Sequence, residues 1–122
     1  MKFPSIFIKK QTYQYGLDAE LAAIEFLQNK DYKIIAKRYK TKFGEVDIIA
    51  KTGQTLIFIE VKARTSQELI EVILRKNQIN RIKNTALFFI AENINYQNHD
   101  IRFDFILFNK DQGIQHFEGF FE

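Results

Sequence analysis

Phe43-Gly44-Glu45-Val46-Asp47-Ile48-Ile49-Ala50, followed across Thr52-Gly53-Gln54 by Leu56-Ile57-Phe58-Ile59-Glu60-Val61-Lys62-Ala63-Arg64, decides how this chain is read. Both runs are apolar and rich in β-branched residues, which favours strands, and each carries acidic residues among them. Alternation puts Phe58, Glu60 and Lys62 on one face of their strand, opposite Ile57, Ile59 and Val61. It likewise sets Asp47 and Ile49 against Val46, Ile48 and Ala50. Hairpin-like pairing of the two strands would place Asp47 beside Glu60, converging with the Lys62 amine at an accessible sheet edge. Such a set suits metal-dependent phosphodiester cleavage, with Asp47 and Glu60 offering hard oxygen ligands to Mg²⁺ or Mn²⁺. Because an ordinary lysine is protonated near neutrality, Lys62 is assigned to orienting water or stabilising negative charge rather than to acting as a base. Asp47, Glu60 and Lys62 are therefore the candidate catalytic residues. The competing structural reading makes Glu60–Lys62 a surface ion pair and Asp47 a residue that orders the adjacent loop.

Outward from these strands, the periodicity predicts a helix from Gly16 to about Lys30, with Leu17, Leu21, Ile24 and Leu27 as its apolar stripe. Ala22 and Ala23 permit close packing. Glu20 on this helix is a candidate third metal ligand if the helix crosses the acidic strands; otherwise it is a helix-surface charge. The segment 1–14 is expected to be irregular. Tyr32–Tyr39 reads as a strand before the acidic pair. A helix is expected from Gln67 or Glu68 to Ala91, with a break near Arg75–Asn77, followed by a polar loop from Asn93 to Asp100 and strands at Ile101–Phe108 and Ile114–Glu118. Together these elements predict one α/β domain over 1–122, a mixed central sheet flanked by helices.

The 122 residues, 46% of them apolar, suit a single small domain. Cysteine is absent, which removes disulfides, thiolate nucleophiles and thiolate metal sites. His99 and His116 do not fall in a zinc-binding spacing. No stretch approaches a membrane span and no signal-type apolar block opens the chain, so a cytoplasmic protein that does not contact membranes is expected. The net charge is only +3, but its distribution is uneven. Lys30, Lys33, Lys37, Arg38, Lys40 and Lys42 form one basic run, and Arg75, Lys76, Arg81 and Lys83 a second. If folding brings them to one side they can follow a nucleic-acid backbone. Arg38, Lys40, Arg64 and Lys76 are the candidate nucleic-acid contacts. Of the 13 phenylalanines, Phe43, Phe58, Phe88, Phe89, Phe103 and Phe105 are mostly expected to build or border the core.

From Gly16 to Phe108 the chain resembles the UPF0102, or YraN-like, family of the restriction-endonuclease-like superfamily, which is similar to Holliday-junction resolvases. The resemblance rests on Gly16 with Glu20, on Gly44 to Ala50, on Phe58 to Arg64, on Lys76 and on Arg102-Phe103-Asp104. It departs from the family pattern around Tyr39 and from Ser66 to Leu74, where substrate contact or loop shape would differ. The resemblance implies a restriction-endonuclease-like fold, a nuclease-like core of Asp47, Glu60 and Lys62 with Glu20 in support, and DNA as the partner. Branched DNA follows from the likeness to resolvases, and a homodimer would present two related sites to it. The expected function is divalent-metal-dependent DNA endonuclease. The alternatives are a noncatalytic nucleic-acid-binding module and a structural or protein-interaction domain on the same scaffold.

Overall fold

A computed structural model of the chain describes residues 5–63, 76–109, 111 and 113–121. Helix α1 covers Ser5–Asn29, strands β1, β2 and β3 cover Lys33–Thr41, Gly44–Thr52 and Thr55–Ala63, and helix α2 covers Lys76–Glu92. A short 3₁₀ turn at Ile94–Tyr96 leads to β4, Asp100–Asn109, and β5, Gly113–Phe121. The five strands lie in chain order in one sheet, with β3 and β4 parallel and every other neighbouring pair antiparallel. A parallel pair needs a crossover, and α2 lies in the one that joins β3 to β4. The architecture is the α/β mixed sheet flanked by helices that the strand pattern predicts, and it is consistent with a nuclease-like fold.

Each helix covers one sheet face. Ala19, Ala23 and Leu27 of α1 pack with Ile48, Ala50, Ile57, Ile59, Val61 and Ile106. On the other face, Ile82, Ala86 and Phe89 of α2 pack with Val46, Ile49, Leu56 and Phe58. The middle strand β3 is thus buried on both sides, which explains its almost unbroken apolar run.

Three local expectations change. The opening is helical from Ser5 instead of irregular through residue 14. The buried stripe of α1 runs through Ala19 and Ala23, whereas Leu21 is 61% exposed. Small side chains on the contact line let the helix axis approach the sheet, and this outweighs the burial that Leu21 would have gained. The third change is in β2, where Val46 and Ile48, expected on one face, pack against opposite helices. The break in alternation falls at Asp47, between the pairs Lys37–Ile48 and Tyr39–Val46. Arg38, in the same interval of β1, has a φ of 52°, a left-handed conformation uncommon for a residue with a Cβ. The expected start of the second helix near Gln67 lies outside the described residues.

At Gly44 the backbone φ is +151°, and a Cβ there would lie 3.2 Å from the Arg81 Cβ. The missing side chain lets α2 rest on the start of β2, which fixes the helix against the acidic end of the sheet. The fully buried Ala23 provides a direct check of α1 packing. Ala23→Leu should destabilise the protein by about 1–3 kcal/mol through overpacking, read as a lower urea midpoint at unchanged m-value.

Candidate functional site

The pairing of β2 with β3 runs from Thr52–Thr55 to Ile48–Ile59. Beyond it the Asp47 carboxylate takes over: its Oδ2 accepts a hydrogen bond from the Val61 backbone N–H at 2.8 Å. A side chain thereby replaces a ladder carbonyl at the point where alternation breaks. The same bond holds Asp47 against the next strand, where Glu60 and Lys62 lie on the α2 side by alternation.

Asp47, Glu60 and Lys62 come together. Asp47 lies near enough to Glu60 for its charge to act on that carboxyl, and Lys62 Nζ lies 3.5 Å from Glu60 Oε1. The side chain of Glu60 is 8% exposed and that of Lys62 27%, so the site has a buried acid and an amine that still meets solvent. Burial pushes the Glu60 carboxyl up to about 9 from an ordinary 4.5, and the charge and hydrogen bond of Asp47 push the same way. Lys62 opposes both without cancelling them. Near neutrality Glu60 therefore keeps its proton, because burial and a neighbouring acid both disfavour its charge.

Glu20 does not join this set. Its Oε2 accepts a hydrogen bond from Arg38 Nε at 2.8 Å. No group of three or more histidines and acidic residues suited to a metal ion occurs among the described residues. The donor set is thus two hard carboxylates. This fits Mg²⁺ or Mn²⁺ in the manner of sites that use one or two carboxylates and leave the remaining positions to water. A divalent cation there would displace the Glu60 proton and offset the negative charge of the neighbouring acid.

The other candidates are placed as follows. Lys40 is exposed on β1. Arg38 is held by Glu20. Lys76 opens α2, and Arg64 lies outside the described residues. Arg81 of α2 is exposed beside Gly44, so a member of the second basic run meets the end of the first.

A second polar cluster was only partly foreseen. Asp104, fully buried, accepts hydrogen bonds from Arg102 Nε and Nη2 at 2.8 Å each, and from the Gly119 N–H at 2.9 Å. His116 Nε2 lies 2.7 Å from Asp104 Oδ2. Burial opposes the charge on Asp104, but the hydrogen bonds from His116, Arg102 and Gly119 outweigh it and hold the carboxyl below its usual range. Tyr32 accepts from Arg102 at 2.8 Å and ties in the end of α1. With all its partners internal, this cluster locks β4 to β5 and is structural. The Arg102–Asp104 pair was legible from their i, i+2 spacing in a strand; His116 was not, because its approach depends on the β4–β5 register.

Fold and site together describe a small α/β protein with a nuclease-like mixed sheet and a carboxyl–carboxyl–amine cluster at one end. The profile of the uncharacterised protein family UPF0102 matches residues 19–108. The chain is 40% identical to a UPF0102 protein of Sulfurihydrogenibium over 110 residues, which cover 88% of this chain and 94% of that protein. It is 36% identical to one from Thermotoga petrophila over 104 residues, 84% of this chain and 92% of the relative. A protein from Rhodopseudomonas palustris is 30% identical over 119 residues, 98% and 92% of the two chains. The chain belongs to the UPF0102 family. No helix among the described residues is long and apolar enough to cross a membrane.

The raised Glu60 value sets a pH dependence. Between about pH 4.5 and about pH 9 the folded protein holds a proton that the unfolded chain has released. Stability of the metal-free protein should therefore fall as pH rises through this window, by at most about 1.4 kcal/mol per pH unit. Urea denaturation across the window should show that decline, and Glu60→Gln should flatten it.

Proposed function

We propose that this protein is a divalent-metal-dependent nuclease acting on DNA, with Asp47, Glu60 and Lys62 as its reacting centre. The observation that carries the reading is the convergence of these three side chains: the buried Glu60, the half-buried Asp47 beside it, and an amine 3.5 Å from Glu60. Asp47 and Glu60 would hold Mg²⁺ or Mn²⁺ through their oxygens. When bound, such an ion polarises a phosphoryl oxygen and makes water a better nucleophile at neutral pH. The Val61 N–H fixes one Asp47 oxygen, so the carboxylate is already oriented before any ligand arrives. Lys62, the more exposed member, is placed to donate a hydrogen bond to the attacking water or to a non-bridging phosphate oxygen. Exposed Lys37, Lys40, Lys42 and Arg81 supply the positive surface on which a phosphate backbone would lie. Branched DNA is the favoured substrate shape, and a homodimer would let two centres address paired strands.

One observation favours a second reading, a nucleic-acid-binding module without cleavage. Glu20, the candidate third acid, is tied to Arg38 at 2.8 Å and not to the carboxyl pair. That reading predicts salt-sensitive binding with no turnover.

The two are separated by assaying the purified chain with Mg²⁺ and with Mn²⁺ on linear, single-stranded and branched DNA. The nuclease reading expects cleavage that EDTA abolishes and that Asp47→Ala and Glu60→Ala each eliminate. Lys62→Ala should slow it by about 10²–10³-fold, the range for losing a donor to developing charge. Folded, metal-loaded protein that binds but cuts none of these substrates would favour the binding module.

A further inference from the structure

The turn between β1 and β2 carries an aromatic pair that the core does not absorb. Phe43, at the turn, is 40% exposed and Phe88 of α2 is 36% exposed, in contrast to neighbouring Phe89 at 4%. Their ring centroids are 6.2 Å apart with planes inclined at 60°. α2 buries Ile82, Ala86 and Phe89 against the sheet, and Phe88 falls off that stripe towards the turn. The turn is itself held in place. The Phe43 N–H donates to Thr41 Oγ1 at 3.0 Å, the Thr41 and Thr85 hydroxyls lie 3.4 Å apart, and Gly44 sits against Arg81. An exposed phenylalanine is thus presented on a fixed support.

Its surroundings are cationic. Lys42 Nζ lies 5.3 Å from the centroid of the Phe43 ring, and Lys40 and Arg81 are exposed on the adjoining strand and helix. Glu45 is the exposed acid in this stretch, on the opposite flank of Gly44. Exposed aromatic faces interleaved with basic side chains are the composition of surfaces that stack unpaired bases while neutralising the backbone.

We propose that Phe43 and Phe88 form a stacking platform for an unpaired base of the nucleic acid whose phosphate reaches Asp47 and Glu60. This inference deepens the nuclease reading and rests on it. The platform lies at the same end of the sheet as the carboxyl pair, because β2 begins at the turn and reaches Asp47 at the end of its pairing with β3. From Phe43 to Asp47 an extended strand spans about 13 Å, the rise of about four stacked bases. A base resting on Phe43 would therefore belong to the same strand as a phosphate at the carboxyl pair, a few nucleotides away. The ligand so described is DNA with a single-stranded segment beside the bond at risk, such as a flap or an opened branch.

The test measures equilibrium binding of fluorescently labelled DNA in EDTA, so that no cleavage is needed for the readout. A single-stranded oligonucleotide, a flapped duplex and a blunt duplex are compared for the wild-type chain and for Phe43→Ala, Phe43→Leu and Phe43→Tyr. Phe43→Ala and Phe43→Leu should weaken binding to the single strand and the flap by about 5- to 100-fold while changing blunt-duplex binding little. Phe43→Tyr, which retains an aromatic face, should bind nearly as the wild type does. Phe43→Leu keeps apolar bulk at the turn, so it separates loss of stacking from loss of folding. Unchanged flap binding in both Phe43→Ala and Phe43→Leu, or equal weakening on all three DNAs, would overturn the platform and leave the carboxyl site standing. Wild-type protein that binds none of the DNAs would overturn both, and self-association that is lost on Phe43→Ala would assign the ring to a protein contact instead.

Discussion

The hydrogen bond from the Val61 N–H to the Asp47 carboxylate organises the acidic end of this molecule. A sheet ladder ordinarily pairs backbone with backbone, and every buried donor that loses its carbonyl must find another acceptor. Here the replacement acceptor is a charged side chain. Asp47 is thereby drawn to the strand that carries Glu60 and Lys62, and Glu60, pressed between protein and a second carboxyl, keeps its proton well above the ordinary range. A purely structural acid would be expected to find donors, as Asp104 does with Arg102, His116 and Gly119. Glu60 has Lys62 as its cation, yet burial and Asp47 outweigh it. One buried acid is held ionised by donors within the fold, and the other keeps its proton for want of them. That contrast supports the proposal that the Asp47–Glu60 pair takes an external cation.

The pairing of the two acidic strands and the sharing of a face by Glu60 and Lys62 were legible, the latter because strand alternation is a local property of the backbone. β3 was the clearest element, with its apolar run bounded by Gly53 on one side and polar residues on the other. The position of Asp47, on the face of Ile49 and beside Glu60, was legible, but that of Val46 was not. The sequence pattern suggested simple alternation through β2, whereas Val46 and Ile48 lie on opposite faces. What turns Val46 to the α2 side is an irregularity next to a left-handed Arg38, and a non-glycine residue in that conformation leaves no mark in the amino-acid pattern. Leu21 misled for a related reason: hydrophobicity alone ranked it above Ala19 and Ala23, but the close approach of α1 to the sheet selects small residues. Glu20 could not be placed from sequence because its position depends on how α1 crosses β1.

The aromatic residues show the same division. Phe58 and Phe89 take the core positions that composition suggests, whereas Phe43 and Phe88 are held apart from the core by the seating of α2 on Gly44. The absent side chain at Gly44 therefore has two effects at once. It lets α2 close the α2 side of the sheet near Val46, and it places Arg81 and Phe88 beside a turn rich in lysine. The basic runs that are separate in sequence meet at this corner through Arg81.

The central claim is that Asp47 and Glu60 form one divalent-cation site, and Mn²⁺ titration followed by calorimetry in buffers of different ionisation enthalpy tests it most directly. Near pH 7 a single class of site is predicted, whose occupation releases up to one proton as the cation displaces the one that Glu60 holds. Binding should be lost in Asp47→Ala and Glu60→Ala and retained in Glu20→Ala. Mn²⁺ binding that is absent from the folded wild-type protein, or that persists unchanged without Asp47 and Glu60, would contradict it.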